Sequence, residues 1–170
     1  MTGPATETVH LGLGSNIGDR FAHLNGAIAA IAAAGIEVEA VSPAYETEPV
    51  GEILDQPDFL NAAIRVRTGL APEALLDRLK AIEADLGRRG GTPRHSPRVI
   101  DIDLLLYGDL EYETERLRLP HREVTSRRFV LVPLLDLDPE LTTPDGTRLA
   151  DALAALPDGQ WVKPAGELAP

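Results

Sequence analysis

Two carboxylates one residue apart, Asp101 and Asp103, are the strongest chemical feature of the sequence. They lie in an apolar run, residues 99–107, which predicts a strand, so both should point to one face about 6–7 Å apart at Cα. Two unpaired anions on such a strand would repel each other and lose hydration. Mg²⁺ shared with substrate phosphates would relieve both effects. Salt bridges to arginine, or a solvent-facing sheet edge, would do so as well.

Arginines are concentrated on both sides of this pair. Residues 88–128 carry a net charge of +2 within a chain of net charge −11. Planar guanidinium groups suit phosphate or carboxylate ligands, although an arginine-rich surface would look the same in sequence. The arginines of this segment, with the histidine that could donate to a phosphate, are Arg88, Arg89, Arg94, Arg98, Arg116, Arg118, His121, Arg122, Arg127 and Arg128.

Two weaker patterns lie earlier in the chain. Residues 12–18, GLGSNIG, lack the glycine spacing of a dinucleotide-binding loop and the lysine of a phosphate-binding loop, so they predict a tight strand-to-helix turn. Near the acidic segment 44–58, Phe59 and Asn61 offer an aromatic face and an amide to a flat polar heterocycle. Residues 44–58 and 87–97 are predicted as long loops, a type that is usually functional.

Composition excludes several classes of protein. The chain has 170 residues, no cysteine and 44% hydrophobic residues, which suits one folded domain without disulfides or thiolate sites. No apolar run of about 18 residues suggests a membrane span, and residues 1–10 do not look like a signal peptide. The net charge of −11 disfavours nucleic acid and anionic membranes as partners. A cytoplasmic monomer is expected.

The hydrophobic periodicity predicts the order β-α-β-β-α-β over residues 8–107, which is the ferredoxin-like α+β order with an antiparallel sheet and helices on one face. Apolar spacing predicts helices over 19–34 and 72–87 and strands over 8–13, 36–42, 59–68 and 99–107. The last of these strands is too apolar for an edge and is expected at the centre of the sheet. Residues 110–119 predict a hairpin. A single domain is expected over 1–170, with its core at 8–155, a C-terminal extension and a tail at 157–170.

Several longer segments resemble the 6-hydroxymethyl-7,8-dihydropterin pyrophosphokinase family of folate synthesis. The resemblance is collinear from about residue 8 to 155, and PRVIDIDLLLYGD (97–109) and DQPDFLNAA (55–63) are its most specific parts. It implies a ferredoxin-like fold, ATP as co-substrate, two Mg²⁺ ions, and transfer of a diphosphate group to the pterin hydroxymethyl group with release of AMP.

The resemblance also implies roles for individual residues. Asp101 and Asp103 would hold the metal ions, and Arg88 and Arg98 would be the catalytic loop arginines. The ATP-binding positions would be Glu83, Arg98, Leu104, Arg116, Arg118, His121 and Arg127, and the pterin-binding positions Thr47, Val50, Phe59, Asn61 and Phe129. The chain departs from the family pattern at Gly90, Gly91, His95 and Arg122, which suggests a different distribution of phosphate contacts.

Two other functions remain to be compared with this one. A ferredoxin-like sensor could bind a nucleotide without turnover, and loss of Asp101 would then leave much of its nucleotide affinity intact. An RNA-binding sheet needs exposed aromatic residues on its central strands, whereas this chain is 4% aromatic and very acidic.

Overall fold

The computed structural model describes residues 5–48, 58–87, 99–157 and 161–168. The strands and helices over these residues are β1 (Glu7–Ser15), α1 (Arg20–Ala33), β2 (Glu37–Val41), β3 (Ala44–Thr47), β4 (Phe59–Thr68), α2 (Pro72–Gly87), β5 (Asp101–Tyr107), β6 (Tyr112–Glu113), β7 (Arg118–Leu119), α3 (Arg128–Leu137), α4 (Leu149–Ala155) and β8 (Val162–Gly166). Residues 49–57 of the predicted loop 44–58, and residues 88–97 of the predicted loop 87–97, lie outside the described residues. Among the residues that the structure describes, no helix is long and apolar enough to cross a membrane.

The main sheet has the strand order β5-β1-β4-β3-β8, and β2 pairs with β4 as well. All its pairings are antiparallel. Because β2 and β3 follow each other along the same side of β4, they together take the place of the second strand in the predicted order. The ferredoxin-like α+β fold predicted from periodicity is therefore confirmed. The predicted hairpin is also present, as the pair β6-β7.

Helices cover both faces of this sheet, whereas the sequence predicted them on one face. One core joins the sheet to α1 and α2 through residues such as Leu24 and Leu79. A second core on the opposite face joins it to α3 and α4 through Leu131, Leu134 and Leu149. These three leucines are fully buried. Each contributes about 1.5–3 kcal/mol by leaving water, which favours this second layer over an extension in solvent.

Strand β5 lies at an edge of the sheet, so the predicted central position is wrong. Its apolar composition reflects the burial of both of its faces in the two cores. Two backbone groups on its outer edge have hydrogen-bond partners outside the sheet. Glu83 accepts from the Ile102 N–H at 2.7 Å, and the His121 N–H donates to the Leu105 carbonyl at 2.9 Å. An edge covered in this way does not need polar residues to prevent further strand pairing.

A β-bulge in β5 changes which side chains share a face. Leu104 pairs with Leu11, but Leu106 pairs with the adjacent His10, so Leu105 is the additional residue. Simple alternation along an extended strand would place Leu105 and Tyr107 on the face of the carboxylates and Leu106 on the opposite face. Leu105 does lie on that face, in the second core, but Leu106 lies in the same core and Tyr107 packs against the first. A bulge adds one residue to one strand and reverses the alternation after it.

Two segments predicted as irregular form strands beside β4. The first residues of the predicted loop 44–58 are β3, which pairs with Phe59–Asn61. The predicted tail at 157–170 contains β8, which pairs with β3, and its Leu168 is buried in the first core. Short strands with prolines and charged residues give little signal in sequence, because pairing partners distant in the chain determine them.

A partly buried polar network links the end of α3 to the sheet. His10 Nε2 lies 2.6 Å from Asp138 Oδ2, and Arg65 Nη1 lies 2.8 Å from Asp138 Oδ1. Arg65 also contacts Glu39 at 3.3 Å. Burial lowers the pKa of His10 despite the hydrogen bond to Asp138 and the attraction of both carboxylates. The contact is therefore a hydrogen bond from a neutral imidazole rather than an ion pair.

This network predicts a loss of stability in mild acid. As pH falls below the ordinary histidine pKa of about 6.5, the unfolded chain takes up a proton at His10 that the folded chain does not, so the free energy of unfolding decreases. One proton contributes at most about 1.4 kcal/mol per pH unit. Urea unfolding between pH 7.5 and 5.5 should show a flatter pH dependence for His10→Gln than for the wild type. An unchanged slope in His10→Gln would refute the expectation.

Candidate active site

A cavity of about 310 Å³ lies between the sheet and the beginning of α3. We call it the sheet cavity. Side chains and backbone from β1, β3, β4, β5 and α3 meet there, and its lining residues are Gly12, Leu13, Gly14, Thr47, Glu48, Phe59, Asn61, Ala62, Ala63, Asp101, Asp103, Leu105, Arg127, Phe129 and Val130. It therefore brings together the carboxylate pair and four of the five residues predicted to bind a heterocycle.

Two glycines of β1 keep the floor of the sheet cavity open. Gly12 and Gly14 lie inside β1, which ends at Ser15, so the turn predicted over 12–18 begins only after that residue. A Cβ at Gly14 would lie 2.7 Å from Asn61 Oδ1, whereas one at Gly12 would lie 3.3 Å from a methyl group of Leu105. The role of these glycines was missed from sequence, although their alternate spacing in an apolar strand places both on one face.

Asn61 is held in one orientation beside the cavity. Its Nδ2 donates to Thr47 Oγ1 at 2.7 Å, and both side chains are buried. A buried amide whose hydrogen bond sets its direction can present its remaining polar groups to a ligand in a defined geometry. The sequence placed Thr47 and Asn61 at one site, and the structure brings them together.

Aromatic residues from two distant parts of the chain complete the walls. Phe59 begins β4 and Phe129 lies in the first turn of α3, and both line the sheet cavity. The guanidinium carbon of Arg127 lies 5.6 Å from the centre of the Phe129 ring, a cation–π contact. Arg127 was predicted beside nucleotide phosphates; it lines the sheet cavity and contacts Glu123 at 3.6 Å.

The position of α3 over the cavity depends on two carboxylates at its C-terminal end, Asp136 in the helix and Asp138 at its C-cap. Asp138 joins His10 and Arg65, and Asp136 accepts a hydrogen bond from the buried Tyr45 of β3. Burial, together with the hydrogen bond to Asp136, raises the pKa of Tyr45 to about 12. The hydroxyl therefore stays protonated and donates at neutral pH. These contacts, which sequence analysis missed, join α3 to β1, β3 and β4, three of the four strands that line the cavity.

The two carboxylates of β5 open onto the sheet cavity, as their spacing predicted. Asp101 is half-buried and Asp103 is exposed, so they are not the buried anions that the apolar sequence suggested. Among the described residues no cluster of three or more His, Cys, Asp or Glu could hold a metal by itself. A pair of carboxylates instead fits Mg²⁺, which binds through one or two carboxylates together with substrate phosphates.

A second cavity of about 420 Å³ lies between the outer edge of β5 and the β6-β7 hairpin. We call it the hairpin cavity. It is lined by Leu76, Lys80, Ile102, Asp103, Leu104, Glu113, Thr114, Glu115, Arg116, Leu117, Arg118, His121 and Arg122. It thus contains four of the predicted nucleotide positions, and Asp103 lines both cavities.

His121 is oriented by the backbone. Its Nδ1 accepts a hydrogen bond from the Glu123 N–H at 3.0 Å, so the neutral ring carries its proton on Nε2. Burial lowers the pKa of His121; Arg127 and Arg122 act in the same direction, and Asp103 opposes them. A neutral imidazole with an Nε2 proton is a hydrogen-bond donor to an anion.

Glu83 and Arg116 have structural partners in addition to their predicted roles. Glu83 accepts from the Ile102 N–H and lies 3.2 Å from Lys80 Nζ, so it supports the strand between the two aspartates without lining either cavity. Arg116 contacts Asp77 and lies 3.5 Å from Glu73 on α2. Arg88, Arg98 and Val50, with Gly90, Gly91 and His95, lie outside the described residues.

The antiparallel α+β fold and the two cavities that adjoin at a carboxylate pair fit the class of enzyme predicted from sequence, a transferase. The model of the family 7,8-dihydro-6-hydroxymethylpterin-pyrophosphokinase (HPPK) matches residues 10–139, and the chain belongs to this family. Its function is pyrophosphoryl transfer from ATP to hydroxymethyldihydropterin in folate synthesis. This confirms the enzyme predicted from sequence over the sensor without turnover.

Related sequences align with most of this chain. The pyrophosphokinase of Methylorubrum extorquens is 50% identical over 148 residues, covering 86% of this chain and 92% of the relative. That of Pseudomonas aeruginosa is 41% identical over 152 residues, covering 89% and 93%. A mitochondrial folate synthesis bifunctional protein of Arabidopsis thaliana is 41% identical over 162 residues, but the chain spans only 29% of its length.

Solved structures of similar fold superpose on most of this chain. The Plasmodium falciparum HPPK-DHPS chain superposes with a TM-score of 0.70 at 16% identity, covering 88% of this chain and 43% of that one. At this identity the likeness supports the fold alone. It is consistent with the antiparallel α+β architecture described above.

Proposed function

We propose that the pterin binds in the sheet cavity, that ATP binds in the hairpin cavity, and that the reacting groups meet at the carboxylate pair between them. The observation that carries this proposal is that Asp103 lines both cavities. An in-line transfer requires the acceptor hydroxyl and the β-phosphorus to be held against each other, which two adjoining cavities with one shared carboxylate can do.

On the pterin side, Asn61 reads the polar edge of the ring and Phe59 and Phe129 contact its faces. The hydrogen bond from Asn61 to Thr47 supports this role, because it holds the amide before the ligand arrives. Val50 is assigned to the same side from the family resemblance alone. The open floor at Gly12 and Gly14 leaves room for a flat ring beside the strand.

On the ATP side, the edge of β5 and the hairpin supply the contacts. The Ile102 N–H points away from β1 toward Glu83. Because backbone groups alternate between the two sides of a strand, those of Leu104, two residues on, point to the same outer edge. There they can form hydrogen bonds with adenine. Arg116, Arg118 and His121 donate to phosphate or ribose oxygens. Arg127 approaches the phosphates from the sheet cavity, and Glu83 acts by supporting Ile102.

Asp101 and Asp103 would hold two Mg²⁺ ions together with ATP phosphate oxygens. When bound, the ions neutralise charge on the phosphates and raise the electrophilicity of phosphorus. With this charge compensation the −11 chain can accept a tetra-anionic nucleotide at one place. We assign two ions from the family resemblance.

The remaining chemistry is positioning and electrostatic stabilisation. The acceptor is a primary alcohol, and the lining of the sheet cavity offers only Glu48 as a carboxylate besides the metal pair. Arg88 and Arg98 are proposed to stabilise charge on the transferring group, as planar donors do in phosphoryl transfer. Thr47 and Asn61 hold the pterin so that its hydroxymethyl group faces the carboxylate pair.

The proposed reaction is tested by identifying the adenine product. Protein, ATP, Mg²⁺ and 6-hydroxymethyl-7,8-dihydropterin are mixed, and nucleotides are separated by chromatography. AMP should form in equal amount to the pterin diphosphate and only when the pterin is present. Formation of ADP, or nucleotide turnover independent of the pterin, would refute transfer of a diphosphate group.

We also propose that the chain acts as a cytoplasmic monomer without nucleic-acid or membrane partners. Its net charge of −11 opposes binding to polyanions. Leu110 is the one large hydrophobic residue exposed among those that the structure describes, so this part of the surface offers little for self-association. A mass of 18.2 kDa in light scattering would support the monomer.

A further inference from the structure

The side chain of Arg20 contacts both strands that end beside the sheet cavity. Its Nη1 donates to the Asp58 carbonyl at 2.9 Å, and its Nη2 lies 2.9 Å from Glu46 Oε1. Asp58 immediately precedes Phe59, and Glu46 immediately precedes Thr47. One guanidinium therefore bridges positions adjacent to two of the residues that line the cavity.

These contacts lie at the end of the β3-β4 ladder. Thr47 and Phe59 are Cα partners and form the last pair of the described register. Glu48 and Asp58, the next residues outward, lie outside both strands. The terminal pair of a ladder opens more easily than an interior pair. A planar side chain bonded to both strands opposes that opening.

Arg20 lies at the start of a helix that is packed firmly against the sheet. It is the first residue of α1, the helix start is capped by Asp19, and Leu24 and Ile28 bury the next turns in the first core. A cation at a helix N-terminus is unfavourable with respect to the helix dipole. Stabilisation of α1 therefore does not account for an arginine here, whereas the contacts with Glu46 and Asp58 do.

We propose that Arg20 is a positioning residue for the pterin substrate, acting through Thr47 and Phe59. It does not line the sheet cavity, so it contacts no ligand there. By holding β3 and β4 together at their ends, it sets the distance between the Thr47–Asn61 pair and the Phe59 ring. The inference rests on the proposed binding of the pterin by these residues.

The test compares Arg20→Ala with a matched loss of an ion pair elsewhere on β4. Arg67 contacts Glu39 at 3.0 Å near the opposite end of that strand, so Arg67→Ala is the control. In steady-state assays with Mg²⁺, Arg20→Ala should raise KM for the pterin about tenfold, as expected for loss of charged hydrogen bonds. KM for ATP should stay within about twofold, and Arg67→Ala should leave both values near those of the wild type.

Conservative variants separate positioning from general destabilisation. Arg20→Lys keeps the attraction to Glu46 but lacks the fork that spans both strands, so its KM for the pterin should be intermediate. Glu46→Gln keeps an acceptor without charge and should also be intermediate. If Arg20→Ala unfolds, these two folded variants carry the test. Equal changes in the KM values for pterin and ATP, or values like those of Arg67→Ala, would overturn the proposal.

A parallel Phe59→Ala measurement distinguishes failure of this inference from failure of the proposed site. If Phe59→Ala weakens pterin binding and Arg20→Ala does not, Arg20 has no positioning role and the site stands. If neither variant changes pterin binding, the assignment of the pterin to the sheet cavity is wrong, and the role of Arg20 is refuted with it.

Discussion

Replacing either Asp101 or Asp103 by asparagine should slow diphosphoryl transfer about a thousandfold, because each change removes charge that holds Mg²⁺ against the ATP phosphates. Asparagine keeps the size of the side chain but is a much weaker ligand for a hard cation. Pterin affinity, measured without nucleotide, should change only a few-fold, since Asn61 and the two phenylalanine rings are unchanged. The measurement is kcat at saturating substrates, with pterin affinity from calorimetry.

Asp109→Asn is the matched control for these variants. Asp109 is exposed just after β5 and lines neither cavity, so its replacement should leave the rate unchanged. Unfolding in urea verifies that each variant is folded. The carboxylate pair would lose its assigned role if Asp103→Asn kept more than a tenth of the wild-type rate. The same conclusion would follow if Mg²⁺ dependence were identical in variant and wild type.

Gly14→Ala is the second change with a large expected effect. The new Cβ would lie 2.7 Å from Asn61 Oδ1, closer than Cβ atoms normally approach any atom. Asn61 cannot simply rotate away, since its Nδ2 is bonded to Thr47 and the residue is buried. The amide must therefore be displaced, and the geometry that reads the pterin edge changes with it. KM for the pterin should rise about tenfold to a hundredfold, with KM for ATP nearly constant.

Gly12→Ala tests whether that effect comes from Asn61. Gly12 lies on the same strand and lines the same cavity, but its Cβ would meet only a methyl group of Leu105 at 3.3 Å. A flexible leucine end can adjust by a few tenths of an ångström, so the KM for the pterin should rise far less than with Gly14→Ala. Equal effects of the two substitutions would mean that cavity volume, and not the amide of Asn61, determines pterin affinity.

Much of the site could be predicted from local sequence rules. The spacing of Asp101 and Asp103 places them on one face of an extended strand, and the structure has both at one cavity. Periodicities of about 3.6 and 2 gave the helices and long strands within a few residues, because those elements bury continuous apolar faces. The family resemblance assigned one binding site to four residues that all line the sheet cavity: Thr47, Phe59, Asn61 and Phe129.

Other properties depended on partners far apart in the chain. The apolar residues of β5 do not reveal whether the strand is central or at an edge. A strand at the edge can be equally apolar when helices cover both of its faces and Glu83 accepts a hydrogen bond from its outer side. The bulge at Leu105 reverses the last two side chains of the strand, and β8 is a strand only because β3 offers it an edge.

By itself, then, the sequence determined the type of fold, the family and the chemical groups of the site, since these depend on residue types and short spacings. The tertiary structure alone decided that Gly14 must be small beside Asn61 and that Arg20 contacts both Glu46 and Asp58. It also decided that Asp103 lines two cavities. These properties are distances between strands and helices, which arise only when the sheet has paired and both of its cores have packed.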